Sequence, residues 1–263
     1  MPRLAVLGHP VAHSRSPAMQ NAALAALGLG EEWRYEAIDV APEGFEERLR
    51  GMAAEGFLGA NVTIPHKQAA LALADVPGEV AREIGAANTL VFAEGGIQAH
   101  NTDAGGLLAA LPATPLDART LVLGAGGAAR AAVWALVGEG ARVEVWNRTA
   151  SRAATLCAEL GGKPVDSPSQ SDYDLIVNTT SAGLDGEDPF AQLPLAPAGF
   201  AAGQVVVDMV YGAGPSALLR EAEARDAAVV DGLEVLVRQG ALSLRIWTGR
   251  EAPLDVMRAA VRA

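Results

Sequence analysis

Short apolar runs alternate with stretches of helical spacing along the whole chain. Leu4 to Leu7 is strand-like, and Pro17 to Leu27 follows it with helical spacing. Arg34 to Val40 and Gly59 to Val62 read as further strands, with helices from Pro42 to Ala54 and from Lys67 to Leu73. Asn88 to Phe92 and Ile97 to His100, joined through Glu94-Gly-Gly96, have the signature of a hairpin. This part of the chain therefore predicts an open α/β layer closed by that hairpin. A second α/β run begins at Leu121 and continues through strands at Val143 to Trp146, Asp174 to Val177, Val205 to Asp208 and Ala228 to Val230. The boundary is expected between Asp103 and Leu116. From Gly232 onward the spacing of Leu233, Leu236, Val237, Ala241 and Leu244 is helical. No strand is left for this stretch to join, so it is expected to return to the first layer.

A length of 263 residues, half of them hydrophobic, leaves room for two domains with separate cores. The 29 glycines and 15 prolines suggest many tight connections, with no repeat or low-complexity tract. A net charge of -11 and a pI near 4.8 repel nucleic acid and anionic membrane, so neither is expected as a partner. Anionic ligands must then be captured by local positive features. The single cysteine, Cys157, excludes an internal disulfide, lies on a predicted buried helix face, and is compatible with a reducing cytoplasm. No apolar run reaches membrane-spanning length, and Met1-Pro-Arg-Leu4 leads into a strand rather than a signal peptide. The four histidines, His9, His13, His66 and His100, lack metal-site spacing, and no metal is expected.

Leu121-Val-Leu-Gly-Ala-Gly-Gly-Ala-Ala-Arg130 combines a strand, a glycine turn and a helix start. Gly124 permits the tight turn, Gly126 lets backbone approach a pyrophosphate, Ala129 allows close helix-sheet packing, and the helix N-terminus favours phosphate charge. A second strand ends at Asn147, about 20 residues further on, where an NAD site usually carries Asp or Glu. Here the residues are Asn147, Arg148 and Thr149, and Glu144 lies too early for that role. Arg148 suits a 2′-phosphate, with Asn147 and Thr149 as hydrogen-bond donors, so NADP is expected over NAD. Arg148 has a plainer reading as a solvated loop charge. Arg152 reads either as a second phosphate contact or as part of a first helical turn.

Asn61-Val-Thr-Ile-Pro-His-Lys67 ends a strand in groups that bind and protonate. Lys67 and Lys163 are the only lysines among 20 basic residues, and lysine exchanges a proton far more readily than arginine. Lys67 is therefore the first candidate for acid/base chemistry, beside its plainer reading as a surface lysine opening the helix Lys67 to Leu73. Ser16 reads as an N-cap with Pro17 at the first helical position; with Ser14 it also offers hydroxyls to a carboxylate. Asn61, Thr63, Asn88 and Asp103 lie at or just after strand ends, the edge at which open α/β sheets bind ligands.

These segments together resemble the shikimate dehydrogenases over nearly the full length. The resemblance is carried by Gly8-His-Pro-Val-Ala-His-Ser-Arg-Ser-Pro17, Asn61 to Lys67, Ala87-Asn-Thr89, Asn101-Thr-Asp103, Gly124-Ala-Gly-Gly-Ala128, Asn147-Arg-Thr149, Val177 to Gly183, Asp208-Met-Val-Tyr211 and Asp231-Gly232 through Gln239. It implies two α/β domains with a cleft between them: a substrate domain of residues 1–103 completed by helices in 233–263, and a Rossmann-type NADP domain of residues 104–232. It implies reversible NADPH-dependent reduction of 3-dehydroshikimate to shikimate, in aromatic amino acid biosynthesis, by a cytoplasmic enzyme whose partner is a small molecule and for which a homodimer is compatible. Residue by residue, it implies that Ser14 and Ser16 hold the substrate carboxylate with Tyr211 nearby. Thr63, Asn88, Asp103 and Gln239 would bind ring hydroxyls, and Lys67 with Asp103 would be catalytic. Gly124, Ala125, Gly126, Gly127, Ala128, Asn147, Arg148, Thr149 and Arg152 would hold the cofactor, with Met209 and Gly232 at its nicotinamide end. The chain departs at Gln20, where relatives often carry histidine, outside the motifs. An NAD-dependent quinate/shikimate dehydrogenase is disfavoured by Asn147-Arg148-Thr149. A non-catalytic NADP-binding sensor is disfavoured by the presence of both Lys67 and Asp103.

Overall fold

The computed structural model describes residues 1–212 and 214–263, without the side chain of Asp185. Two compact units divide it, Met1–Gly106 with Leu236–Ala263, and Leu107–Val235.

In the first unit the order is β1 (Arg3–Gly8), α1 (Ser16–Ala26), β2 (Arg34–Asp39), α2 (Phe45–Gly51), β3 (Phe57–Val62), α3 (Lys67–Ala72), β4 (Val76–Pro77), α4 (Glu79–Ile84), β5 (Thr89–Ala93), β6 (Gly96–His100) and α5 (Asp103–Ala110). The six strands form one mixed sheet in the order β2-β1-β3-β5-β6-β4. β1 pairs in parallel with β2 and β3, and β5 runs antiparallel to both β3 and β6. Leu7, Phe45, Leu49, Phe57, Ala60 and Leu90 pack one core beneath it. Each of the larger of these side chains contributes about 1.5–3 kcal/mol when fully buried.

Two local expectations change. The helix expected over Pro42 to Ala54 is a 3-10 turn, Pro42–Gly44, running into a shorter α2, because residues 52–56 turn back to enter β3. Asn101 Oδ1 accepts from the N–H groups of Asp103 and Ala104, at 3.0 and 3.3 Å, and caps helix α5. Ser16 is not the N-cap of α1. The chain is already helical at Arg15, so it is Ser14 Oγ that accepts from the Ser16 N–H, at 3.3 Å.

In the second unit β7 (Arg119–Leu123), α6 (Gly127–Gly138), β8 (Arg142–Trp146), α7 (Ala150–Leu160), β9 (Lys163–Pro164), β10 (Leu175–Asn178), β11 (Val205–Asp208), α8 (Ala217–Glu223) and β12 (Ala228–Asp231) follow in turn. Its sheet is parallel throughout, ordered β12-β11-β10-β7-β8-β9. Along β7, Val122 faces one apolar cluster while Leu121 and Leu123 face the other, as a strand covered on both sides requires. Helix α9 (Gly232–Thr248) leaves β12 and α10 (Leu254–Arg262) ends the chain. From Leu236 on, both belong to the first unit. Gln20 Nε2 on α1 donates to Gly240 O on α9 at 3.0 Å.

Candidate active site

In the first unit, four of the expected residues meet. Lys67 opens α3, and its Nζ lies 2.7 Å from Asp103 Oδ2, both side chains largely buried at 14% and 13% exposure. Asn88, just before β5, directs Nδ2 to Asp103 Oδ1 at 2.8 Å, Thr102 Oγ1 at 2.9 Å and Gln239 Oε1 at 3.1 Å. Asn88 Oδ1 accepts from Thr102 N at 2.7 Å, so its amide is held at both ends. Gln239 reaches the group from α9 because Gly106 on α5 has no side chain: a Cβ there would stand 2.6 Å from Gln239 Cβ. The outcome is an ammonium, a carboxylate and two amides held by one another, two on helix starts, one before a strand and one within α9. Such a group can bind hydroxyls and deliver a proton.

Beneath this cluster runs a buried network that the sequence does not announce. Asn61 is consumed by it: its Nδ2 donates to Asn88 O, Thr89 Oγ1 and Ser243 Oγ, and Tyr35 donates to its Oδ1 at 2.8 Å. Ser243 shares further hydrogen bonds with Thr89 at 2.8 Å and Thr102 at 3.1 Å. Asn61 is thus a support, buried inside the unit, and not a group at an open strand end. Thr102 adjoins Asp103 in sequence and Ser243 lies one helical turn after Gln239, spacings that could have marked both.

Ser14 and Ser16 lie on the turn into α1, with Ser16 buried and Ser14 partly so. That turn is tied to β2 through Asp39, which accepts from His9 Nδ1 at 2.6 Å and from the Val11 N–H at 3.1 Å. The His9 contact, chiefly, holds the Asp39 carboxyl below its ordinary range. Thr63 follows β3, partly buried, its N–H donating to Leu7 O. His66 turns inward: its Nε2 is 2.6 Å from Val40 O and its ring stacks on Phe45 at 4.2 Å.

His100 ends β6, and its carbonyl accepts from the Asn88 N–H at 3.1 Å. Burial pushes its imidazole below the ordinary value of 6.5. The unfolded chain therefore takes up a proton that the folded chain resists, and stability falls as pH drops through 6.5. His100→Gln should flatten that fall. Thermal melts at about pH 5 and about pH 7.5, on either side of that range, test this, and an equal drop in both proteins would refute it.

In the second unit the strand order reverses direction between β7 and β10, the crevice at which such sheets take nucleotides. Gly124 sits there with φ +115°, and a Cβ on it would lie 2.5 Å from Thr179 Oγ1. Ala125, Gly126, Gly127 and Ala128 carry the turn into α6, whose N-cap Gly126 leaves the first-turn N–H groups without a side-chain acceptor. Asn147 bends the loop after β8 by donating to Thr149 O at 2.9 Å. Arg148 and Arg152 are exposed, and neither makes an ion pair among the described residues. Arg152 occupies the first turn of α7, and Glu144 is engaged by the Tyr173 hydroxyl. Free N–H groups at a helix start and two unpaired guanidinium groups fit a phosphorylated dinucleotide. Met209 follows β11, partly buried against the core, with Tyr211 on the same loop, and Gly232 opens α9. Among the described residues no cluster of three or more His, Cys, Asp or Glu could hold a metal, and no helix is long and apolar enough to cross a membrane.

This sheet order and glycine turn, in a chain whose first α/β unit carries a largely buried Lys–Asp pair, are those of a dinucleotide-dependent oxidoreductase. Family comparisons carry the definition further. Residues 6–90 match the shikimate dehydrogenase substrate binding domain, 109–182 the shikimate/quinate 5-dehydrogenase domain, and 232–262 the shikimate 5′-dehydrogenase C-terminal domain. A shikimate dehydrogenase (NADP(+)) of Anaeromyxobacter dehalogenans is 46% identical, over 98% of this chain and 95% of its own length. The crystal structure of shikimate dehydrogenase from Aquifex aeolicus superposes with a TM-score of 0.93 at 38% identity, covering 100% of this chain and 98% of that one. That of shikimate 5-dehydrogenase from Thermus thermophilus, in complex with NADP(H) and shikimate, has a TM-score of 0.91 at 44% identity, with 100% and 99% covered. The chain belongs to the shikimate dehydrogenase family.

Proposed function

We propose that this protein catalyses the reversible NADPH-dependent reduction of 3-dehydroshikimate to shikimate, a step of aromatic amino acid biosynthesis. The observation that carries the reading is the Lys67–Asp103–Asn88–Gln239 cluster, in a chain of this family. Residues 1–103 with 233–263 are read as the substrate-binding catalytic domain and residues 104–232 as the NADP domain. When bound, NADPH supplies a hydride to the ring ketone. The Lys67 ammonium would stabilise negative charge on the ketone oxygen and would supply the proton that completes the alcohol. Asp103 holds the ammonium in position and, with Thr63, Asn88 and Gln239, receives ring hydroxyls. Ser14 and Ser16 bind the carboxylate, with Tyr211 as a further contact. Gly124, Ala125, Gly126, Gly127 and Ala128 would hold the pyrophosphate. Asn147, Arg148, Thr149 and Arg152 would hold the 2′-phosphate, with Met209 and Gly232 toward the nicotinamide.

The net charge of -11 supports a small molecule rather than nucleic acid as partner. We read the chain as cytoplasmic, and a homodimer is compatible with the reading. Steady-state assays with shikimate and quinate, each against NADP and NAD, test the function. Shikimate with NADP should give the highest kcat/KM; a preference for quinate with NAD would overturn the reading.

The carboxylate assignment has its own test. Ser14→Ala with Ser16→Ala should raise the KM for shikimate by about 10-fold, the loss of one charge-assisted hydrogen bond or a little more, and leave NADP binding intact. Equal loss of both affinities would point to a misfolded turn, since a lost cap costs about 1 kcal/mol by itself.

A further inference from the structure

Asp208 is the last residue of β11, and its side chain is 0% exposed. It stands beside Asn178 on β10 and Asp231 on β12, in a sheet whose interior is otherwise rich in Val, Ile and Leu. Among the described residues it has no ion partner. A carboxyl in such a place is unfavourable unless hydrogen bonds satisfy it, and a valine would pack there at no such cost. Its hydrogen bonds are therefore informative. Oδ1 accepts from Asn178 Nδ2 at 2.9 Å and from the Val210 N–H at 3.1 Å. Oδ2 has no well-formed hydrogen bond, the Ser216 hydroxyl approaching the carboxyl outside that geometry.

Asn178 passes the constraint on. Its Oδ1 accepts from Thr180 Oγ1 at 2.7 Å and from the Thr180 N–H at 3.1 Å, and Thr180 Oγ1 accepts from the Ala182 N–H at 3.1 Å. Thr179, between them, donates through Oγ1 to Leu123 O at 2.7 Å and lies against Gly124. On the other side the Met209 N–H donates to Asn178 O at 3.0 Å. One carboxyl thus links the loop after β11, the loop after β10 and the glycine turn after β7.

We propose that Asp208 is a positioning residue for the cofactor: directly and through Asn178 it fixes Met209 and Val210, and Thr179 to Ala182, at the nucleotide-binding edge of the sheet. The proposal rests on reading this unit as the NADP domain. Burial pushes the carboxyl above its ordinary range, against the Ser216, Val210 and Asn178 contacts. The two hydrogen bonds that the carboxyl accepts, from Asn178 and from the Val210 N–H, are what a valine in its place would lose.

The test uses Asp208→Asn and Asp208→Ala in the full chain, with NADPH binding by fluorescence titration, KM for each substrate, kcat and thermal melts. Asparagine keeps an Oδ1 able to accept from the same two donors, so Asp208→Asn should stay within about threefold of the parent in NADPH affinity. Asp208→Ala should weaken NADPH binding and lower kcat by about 10-fold each, with a clearly smaller rise in KM for shikimate, since only Tyr211 of the substrate contacts shares the loop. If Asp208→Ala does not fold, Asn178→Ala breaks the same link from the other strand and should reproduce that split. The proposal is overturned if the link-breaking variant matches the parent, if it loses both affinities equally, or if Asp208→Asn is as damaged as Asp208→Ala. A parent chain that does not bind NADPH overturns the cofactor reading itself, whatever the variants do.

Discussion

Lys67→Ala should lower kcat by roughly 10²- to 10⁴-fold, the span of general acid-base catalysis, with a much smaller effect on NADP affinity. Its Nζ sits 2.7 Å from Asp103 Oδ2 with both side chains largely buried, so the ammonium is held where a ketone oxygen can meet it. An exposed pair of this kind would contribute little, but here neither partner can be removed without leaving the other's charge in a poorly solvated place. Asp103 is itself held by Asn88 Nδ2 at 2.8 Å, and its helix starts on the Asn101 cap. The two residues should therefore act as one unit. Groups that act together give non-additive losses, so Lys67→Ala with Asp103→Ala should be far less impaired than the product of the single effects. Strictly multiplicative losses in kcat would mean independent action and would leave Asp103 as a ligand for a substrate hydroxyl only.

Cofactor choice should turn on Arg148. A charge-assisted contact to the 2′-phosphate contributes roughly 1.5–3 kcal/mol, so Arg148→Ala should raise the KM for NADPH by roughly 10- to 150-fold and change that for NADH little. The local structure favours a strong effect. Arg148 makes no competing ion pair among the described residues, and the one carboxylate on β8, Glu144, is taken by the Tyr173 hydroxyl. Arg152 is also exposed, from the first turn of α7, and can supply part of the same contact. Its replacement should have the smaller effect of the two. Parallel kinetics with both cofactors check this, and an unchanged ratio of kcat/KM values would remove Arg148 from the 2′-phosphate contact.

What the chain reveals before folding is what local chemistry encodes. Apolar period separates strand from helix over most of both units. Leu121 to Arg130 reads as strand, glycine turn and helix because only a short side chain or none fits beside a phosphate. Asn147-Arg148-Thr149 reads as a phosphate loop because it lacks the carboxylate that would repel one. The lone motif lysine, Lys67, stands out by residue type. Where a local rule failed, a neighbour overrode it: a helical Arg15 takes the N-cap place expected of Ser16, whose N–H is met by Ser14 Oγ instead. Only tertiary structure decided which polar groups bind one another. Lys67 meets Asp103 across 36 positions, Asn88 meets Gln239 across 151, and Asp208 meets Asn178 across 30. Asn61 read as a ligand group and became a buried support, since its position inside β3 turns its amide toward Tyr35, Thr89 and Ser243. Such pairings follow from strand order and register, which depend on contacts far apart in the chain, whereas period, capping and turn preferences act within a few residues.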